Sequence, residues 1–244
     1  MTAPIVARQV SKSFYGREEV RALLDVSLEI RAREFVSVLG PSGCGKSTLL
    51  RIVAGLIPAD RGELRTSGTT GVVFQTHNML PWLTVTQNME LGAKMRGIAE
   101  NEIRGRVERL TETLSLRGFG KSYPHQLSGG MRQRAAIGQI LALEPAILLM
   151  DEPFGALDAL TRDRLNVELL RIWQERMQTV LFITHSIAEA VFLSDRVLVM
   201  SARPGRILHE VTIDLPRPRS PEAVRTDPRF AAHVAELSQM MGVY

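Results

Sequence analysis

The stretch Phe35-Val36-Ser37-Val38-Leu39-Gly40-Pro41-Ser42-Gly43-Cys44-Gly45-Lys46-Ser47-Thr48 joins a short apolar run to a glycine-rich segment. The apolar run predicts a buried strand, and the apolar spacing from Lys46 to Ala54 predicts a helix that stops at Gly55. Residues 40–47 fit the pattern G-x-x-x-x-G-K-[ST], which binds phosphate when it follows a strand and opens a helix. The flanking sequence therefore supplies the context that this pattern requires.

The residue types of this loop suit contact with a triphosphate. Glycines let backbone N–H groups turn toward phosphate oxygens, and the helix N-terminus adds positive potential. We expect Lys46 to reach the β- and γ-phosphates, Ser47 to ligate Mg²⁺ and Thr48 to contact the α-phosphate. The residues of the loop expected to bind the nucleotide are Gly40, Pro41, Ser42, Gly43, Cys44, Gly45, Lys46, Ser47 and Thr48.

A second apolar run, Ile147 to Met150, ends in the two carboxylates Asp151 and Glu152. A buried strand of this kind brings the acids to the carboxyl edge of a sheet, where ligands bind in open α/β folds. Asp151 is expected to hold Mg²⁺, and Glu152 to orient and polarise the attacking water as a general base.

Strands and helices alternate along much of the remaining chain, which predicts an α/β fold with a parallel sheet covered on both faces. Strands are expected in residues 5–30, 72–74, 146–150, 180–183 and 197–200, and helices in 160–177 and 187–193. A mostly helical insert is expected from Thr84 to about residue 140. The chain then continues through a hairpin around Pro204-Gly205 into one final helix.

The composition excludes several classes of protein. With 244 residues, 45% hydrophobic and 23% charged, the chain is neither disordered nor fibrous, and 5% aromatic residues are too few for a platform that stacks single strands. The net charge of +4 is weak evidence for an anionic partner. One cysteine excludes a disulfide framework, and neither a membrane-spanning segment nor a secretory leader is evident. We therefore expect the protein to stay on the cytosolic side, so that another chain must hold it there if it works at a membrane.

The run Leu127-Ser128-Gly129-Gly130-Met131 precedes a helical stretch from Arg132 to Leu143. Ser128 is a good N-cap, and Gly129 and Gly130 expose backbone N–H groups. The start of this helix is therefore a second site for an anion. Two phosphate sites in one small chain require an explanation.

The explanation comes from a resemblance. With Ser128, Gly129 and Gly130 in place, the sequence resembles the nucleotide-binding subunit of ABC transporters, in which LSGGQ is the family signature. The resemblance implies an ABC ATPase cassette of the α/β class, with a mixed core sheet, N-terminal antiparallel strands that cradle the base and a helical subdomain that carries the signature. It also implies ATP and Mg²⁺ as ligands and a head-to-tail dimer, in which the signature of one copy closes over the γ-phosphate held by the other.

Further positions follow the family pattern in order. Gln75 resembles the glutamine that contacts Mg²⁺ and water, His185 resembles the switch histidine, and Phe14 (or its neighbour Tyr15) takes the place of the aromatic residue that stacks on adenine. Gly155-Ala156-Leu157-Asp158 resembles the loop that crosses the dimer interface. The resemblance thus implies catalytic roles for Lys46, Gln75, Glu152 and His185, and Mg²⁺ ligation by Ser47, Gln75 and Asp151.

The finer resemblance is to the branch that imports nitrate, alkanesulfonates, taurine and similar small compounds. It extends over about residues 5–220 and rests on residues 80–85, 123–134, 151–162, 190–197 and 201–207. Three residues depart from the family pattern. Met131 replaces the signature glutamine, but methionine is common at this position in the branch. Ser186 stands where aspartate often follows the switch histidine, and Gln139 stands where arginine is usual. These departures bear on fine geometry or rate and leave the nucleotide assignment intact.

Two sequence features keep open interpretations. Met79-Leu80-Pro81-Trp82 either forms the wall of a groove that receives a permease helix or packs in the core of the helical insert. Cys44 has no assigned chemistry, but alkylation of an exposed thiol in the nucleotide-free state would block ATP binding. The four other histidines show no metal-ligand spacing, so no transition metal is expected at His77, His125, His209 and His233.

The predicted function is ATP hydrolysis that drives uptake of a small solute through membrane permease subunits, with a periplasmic-type solute-binding protein as an indirect partner and no nucleic acid. Residues 1–220 are expected to form the ATPase domain, with a helical signature subdomain at about 76–140, and residues 221–244 a C-terminal helical tail. The alternative is the ATPase of an ABC exporter or of a non-transport ABC complex. DNA-repair members of the second kind need a long coiled coil between Lys46 and Ser128, where this sequence has no heptads. A phosphate-loop kinase would leave the signature unexplained.

Overall fold

The computed structural model describes residues 3–76, 78–155 and 157–242, so His77 and Ala156 lie outside the described residues. The strands are β1 (Ile5–Tyr15), β2 (Glu19–Ile30), β3 (Phe35–Leu39), β4 (Arg61–Thr66), β5 (Thr70–Val73), β6 (Ile147–Asp151), β7 (Thr179–Ile183), β8 (Arg196–Met200) and β9 (Ile207–Thr212). The α-helices are α1 (Lys46–Val53), α2 (Val85–Met95), α3 (Glu100–Thr113), α4 (Gly129–Leu141), α5 (Ala159–Arg176), α6 (Ile187–Leu193), α7 (Pro221–Thr226) and α8 (Pro228–Met240). A short 3-10 helix spans Pro124–Gln126.

Within the described ranges, these strands form two sheets. The larger sheet has the order β5-β6-β7-β3-β8-β9. Its first five strands in this order are parallel, and β9 pairs antiparallel with β8. The smaller is antiparallel, in the order β2-β1-β4. This arrangement confirms the predicted α/β class, its mixed core sheet and its N-terminal antiparallel strands.

The central strands of the larger sheet are buried along their whole length. Every residue of β3, β6, β7 and β8 is buried, as expected for a parallel sheet with layers on both faces. Val36, Val38 and Ile183 pack with the inner face of the smaller sheet and α1, whereas Phe35 and Phe182 pack toward the helical insert and α5. The carboxyl edge of this rigid sheet is where the candidate site residues emerge.

The segment between β5 and β6 is helical, as predicted from its polar pattern. Thr84 caps α2 and forms a capping box with Gln87, and Ser128 caps α4 by accepting a hydrogen bond from the backbone N–H of Met131. Helices α2, α3 and α4 bury Met89, Val107 and their apolar neighbours in the larger core cluster. The insert is thus packed directly against the sheet-bound core.

Two parts of the chain differ from the sequence prediction. Strand β4 was not predicted, because its residues are mostly exposed and polar and it is held by pairing with β1. The final segment forms two helices, α7 and α8, because Pro228 cannot continue α7 and instead opens α8, with Asp227 as the N-cap. Among the described helices, none is both long and apolar enough to cross a membrane.

Candidate functional site

The glycine-rich loop between β3 and α1 wraps around the side chain of its own lysine. Nζ of Lys46 donates hydrogen bonds to the carbonyl oxygens of Gly40, at 2.8 Å, and Pro41, at 3.0 Å. Lys46 is buried, while residues 41–43 are exposed at the rim. The ammonium group therefore lies inside the loop, where its positive charge attracts an anionic ligand to the loop.

The turn into α1 requires glycine. Gly45 has a φ of 111°, in the left-handed region, and a Cβ at this position would lie 2.6 Å from the carbonyl oxygen of Ala22 on β2. Lys46 and Ser47 follow directly as the first residues of the helix. The loop thus presents a lysine, a hydroxyl and a helix N-terminus together, an arrangement suited to a polyphosphate.

Ser47 and Asp151 meet at the carboxyl edge of the sheet. The hydroxyl of Ser47 donates to Oδ1 of Asp151 at 2.9 Å, although β6 and α1 are far apart in sequence. Burial raises the pKa of Asp151 above its ordinary value; the Ser47 hydrogen bond opposes this rise, and the charge of Glu152 adds to it. Two hard oxygen donors beside a buried lysine fit Mg²⁺, which prefers such ligands and would stabilise the ionised carboxylate.

Two side chains from two different loops approach one carboxylate oxygen of Glu152, which lies on a third loop. Oε2 of Glu152 lies 3.3 Å from Nε2 of Gln75 and 3.4 Å from Nδ1 of His185. These residues follow β5, β6 and β7, which are adjacent parallel strands in register. The structure therefore brings Gln75, Glu152 and His185 together at the edge that also holds Asp151.

Glu152 has an unusual backbone conformation. Its φ is 45°, in the left-handed region that non-glycine residues rarely adopt, and its N–H donates to the carbonyl oxygen of Ile183 at 2.9 Å. Such strain persists only where the surroundings impose it, and it clusters at functional sites. The conformation turns the chain at the strand end so that the carboxylate faces Gln75 and His185.

The serine–glycine motif stands at the exposed start of α4. Ser128 and Gly129 are exposed, and Oγ of Ser128 accepts the N–H of Met131 at 3.3 Å. Over residues 3–76, 78–155 and 157–242, no hydrogen bond joins this helix tip to residues 40–48.

The N-terminal aromatic residues are both exposed. Phe14 is 43% exposed and Tyr15 81% exposed, near the end of β1. Nζ of Lys12 lies 5.7 Å from the centre of the Phe14 ring, a cation–π distance, and 2.6 Å from Oδ1 of Asp60. Phe14 is thus partly held by its neighbours, whereas Tyr15 projects further into solvent.

The structure bears on both of the sequence features that kept open interpretations. Met79 packs against the larger core cluster, while Trp82 is 68% exposed, so the segment that begins at Met79 is part core and part surface. Cys44 is buried, so the exposed thiol that alkylation would need is not found. Its Sγ points back toward Gly40 inside the loop.

The sequence interpretation missed a polar chain behind His185. The hydroxyl of Thr184 donates a hydrogen bond to the carboxylate of Glu189, which also accepts one from Nδ2 of Asn166 at 3.2 Å. The oxygen of the Thr184 hydroxyl in turn accepts a hydrogen bond from the backbone N–H of Ser186 at 3.0 Å. These bonds fix the backbone on both sides of the histidine. A buried glutamate early in a helix indicates such a network, but one of its partners, Asn166, comes from α5 and becomes a neighbour only in the fold.

The chain is similar to proteins of one family. A family model described as ABC transporter matches residues 23–155. An uncharacterized ABC transporter ATP-binding protein of Methanocaldococcus jannaschii is 48% identical over 90% of this chain and 85% of its own. The aliphatic sulfonates import ATP-binding protein SsuB of Bacillus licheniformis is 44% identical over 91% of this chain and 88% of its own. The nitrate import ATP-binding protein NrtD of Synechocystis sp. is 41% identical over 95% of this chain and 92% of its own.

Solved structures agree with this result. The dimeric structure of MJ0796, a bacterial ABC transporter cassette, has a TM-score of 0.78 at 32% identity, and the match covers 87% of this chain and 100% of that one. A dimeric post-hydrolysis state of the same cassette, bound to ADP and Pi, matches equally well. The family model covers more than half of the chain, and the relatives match most of its length. The chain therefore belongs to the ABC transporter family and is one of its ATP-hydrolysing subunits.

Proposed function

We propose that this chain is the ATP-binding subunit of an importer, and that a head-to-tail pair of copies hydrolyses ATP to drive uptake of a small solute. The observation that carries this proposal is the approach of Gln75 and His185 to one oxygen of Glu152, at 3.3 and 3.4 Å, beside the bonded pair Ser47 and Asp151. A carboxylate that faces an amide and an imidazole at a phosphate site is suited to hold and polarise a water molecule.

Lys46 and the loop N–H groups bind the triphosphate in this scheme. The lysine exchanges its bonds to the Gly40 and Pro41 carbonyls for bonds to phosphate oxygens, at little loss of hydrogen bonding. Ser47, Asp151 and Gln75 would hold Mg²⁺, which neutralises phosphate charge when it is bound. Phe14 would stack on adenine, since its ring is exposed but supported by Lys12.

The catalytic residues act on the water and on the γ-phosphate. Glu152 orients the water and accepts its proton, and Gln75 fixes the position of the carboxylate. His185 donates to the γ-phosphate, and the network of Thr184 and Glu189 holds its loop in place. Ser128 and the glycines after it would act on the nucleotide of the other copy, because Ser128 and Gly129 are exposed and, in the part of the chain that the structure describes, the tip of α4 has no hydrogen bond to its own phosphate loop.

The proposed solute is nitrate, a sulfonate, taurine or a similar small compound, because relatives of over 40% identity are named for sulfonate and nitrate import. The chain would work as a peripheral protein on the cytoplasmic face of the membrane, docked on permease subunits and supplied by a solute-binding protein. Residues 1–220 would form the ATPase domain, with a helical subdomain at about 76–140, and residues 221–244 the tail. The exposed indole of Trp82, near the start of this subdomain, is a suitable anchor for a permease helix.

The test is reconstitution of the chain with the permease and binding protein encoded beside it. In proteoliposomes with ATP on the side of this subunit, uptake of nitrate or of an alkanesulfonate should require both ATP and the binding protein. Glu152→Gln in the same vesicles should stop uptake. ATP-dependent movement of a compound in the opposite direction would favour the exporter alternative, and ATPase activity with no permease partner would favour a non-transport complex.

A further inference from the structure

The loop between β8 and β9, residues 201–206, packs directly on the outside of the phosphate loop. A Cβ at Gly205 would lie 2.2 Å from the carbonyl oxygen of Cys44, and a Cβ at Gly40 would lie 3.2 Å from the carbonyl oxygen of Met200, the β8 residue from which this loop begins. The two segments are therefore in backbone contact at these points, with no room for a further side chain. The phosphate loop is shaped from outside by residues far away in sequence.

The same loop is fastened to β2. The N–H of Gly205 donates to the carbonyl oxygen of Ala22 at 2.9 Å, and the N–H of Leu24 donates back to Gly205 at 3.0 Å. The Ala22 oxygen is also the atom that a Cβ at Gly45 would meet. Strand β2, the 201–206 loop and the phosphate loop thus form one stack, which keeps the position of Arg203 well defined.

Arg203 contacts the phosphate loop at an exposed turn. Its Nε donates to the carbonyl oxygen of Gly43 at 3.1 Å, and a Cβ at Gly43 would lie 3.1 Å from its Nη2. Gly43 has a φ of 74°, a left-handed conformation that costs little for glycine. Because glycine adopts other φ values as readily, its own conformational preference does not hold the peptide group in one orientation. Among the residues that the structure describes, no other partner of the Arg203 guanidinium is found.

This hydrogen bond controls the direction of one peptide group of the loop. Because a trans peptide is planar, a carbonyl held outward by Arg203 leaves the N–H of Cys44 directed inward, where it now lies 3.3 Å from the Pro41 oxygen. Inward N–H groups are what a phosphate loop offers to its ligand. A cation at the carbonyl also makes a stronger bond than a neutral donor would.

We propose that Arg203 is a positioning residue for nucleotide binding: it locks the Gly43–Cys44 peptide in the orientation that binds phosphate, and so lowers the ATP concentration needed for half-maximal turnover. The proposal rests on the proposed function only in taking residues 40–47 as the ATP site. It assigns a physical task to the Arg-Pro-Gly run, for which the sequence interpretation had no role beyond its resemblance to the importer branch.

The test is a comparison of Arg203→Ala, Arg203→Lys and Arg206→Ala in steady-state ATPase assays and in titrations with a fluorescent ATP analogue. Loss of one charge-assisted hydrogen bond at an exposed site should raise KM for ATP and Kd by about threefold to tenfold, with kcat within about twofold. Arg203→Lys should recover part of the affinity. Arg206→Ala, exposed on the same loop and with no side-chain hydrogen bond or ion pair to the described residues, should leave KM and Kd unchanged.

Thermal unfolding without nucleotide separates positioning from loss of structure. The proposal expects Arg203→Ala and Arg206→Ala to melt at the same temperature, and a lower melting temperature for Arg203→Ala alone would contradict it. Unchanged KM in Arg203→Ala, with nucleotide binding lost in Lys46→Ala, would overturn the role of Arg203 and leave the ATP site intact. Retained binding in Lys46→Ala would instead contradict the ATP site itself.

Discussion

Glu152 and His185 come within 3.4 Å of each other, between Oε2 and Nδ1, although each follows a different strand. Their strands, β6 and β7, are parallel neighbours in which Asp151 pairs with Ile183, so the next residues of both leave the sheet at the same edge. The N–H of Glu152 is also bonded to Ile183. The register of two strands therefore sets the distance between the two side chains that are proposed to handle water and phosphate.

Glu152→Gln should reduce kcat for ATP hydrolysis by about 100-fold or more while ATP binding is retained. An amide keeps the size of the side chain but cannot accept a proton from water, and positioned bases contribute about 10²–10⁴-fold. The variant should also accumulate as an ATP-loaded dimer in size-exclusion chromatography. Glu108→Gln, on the exposed face of α3, is the matched control. Normal turnover in Glu152→Gln would rule out Glu152 as the general base.

Lys46→Ala should weaken binding of a fluorescent ATP analogue by about tenfold or more. The change removes a buried ammonium group and its charge-assisted hydrogen bonds, each worth about 1.5–3 kcal/mol. Titration of the analogue into the folded variant measures the loss, and far-ultraviolet circular dichroism checks the fold. An affinity equal to that of the parent chain would argue against the phosphate-loop assignment.

Ser128→Arg should abolish turnover while each chain still binds the ATP analogue. Ser128 is exposed and caps α4, and a long cation there would obstruct the closing of one copy on the other. Mixing Ser128→Arg with Lys46→Ala, both inactive alone, should restore measurable hydrolysis, because each mixed pair keeps one site with an intact lysine and an intact serine. No recovery on mixing would contradict a site shared between copies.

Glu34→Gln should lower the free energy of unfolding by about 3 kcal/mol. Both carboxylate oxygens of Glu34 lie 2.9 Å from Nη1 of Arg196, and both residues are buried. Burial lowers the pKa of Arg196, but hydrogen bonds from its guanidinium to Glu210 and Glu34 raise it by more, so the charge stays. Glu210→Gln, at the more exposed partner, should cost about 0–1 kcal/mol. Urea denaturation of both variants measures the loss in free energy of unfolding. Equal losses would contradict a larger contribution from the buried partner, Glu34.

Trp82→Ala should weaken association with the permease by about tenfold or more, with ATP affinity unchanged. Large exposed aromatic residues are frequent interface anchors, and Trp82 is 68% exposed. Leu56→Ala, a comparably exposed apolar residue just beyond α1, serves as the control. Pull-down of the reconstituted permease and analogue titration give the two values. Equal retention of the permease by both variants would place the contact elsewhere.

The phosphate loop could be predicted because all of its parts are contiguous. Strand, glycines, lysine and helix start follow one another from Phe35, so a local pattern suffices. Strand β4 could not be predicted in this way, since its residues alternate neither in hydrophobicity nor in burial and depend on pairing with β1. The break between α7 and α8 was also missed, although Asp227-Pro228 offers a helix start in the sequence.

The sequence by itself determined the α/β class, the order of the motifs and which residue types meet phosphate, because these depend on short-range patterns of apolar residues, glycines and charges. Only the tertiary structure decided that one oxygen of Glu152 faces both Gln75 and His185, that Cys44 is buried, and that Arg203 bonds Gly43. Those contacts join residues far apart along the chain. They exist because strand order and register bring separate loops to one edge of the sheet, and no local pattern encodes that distance.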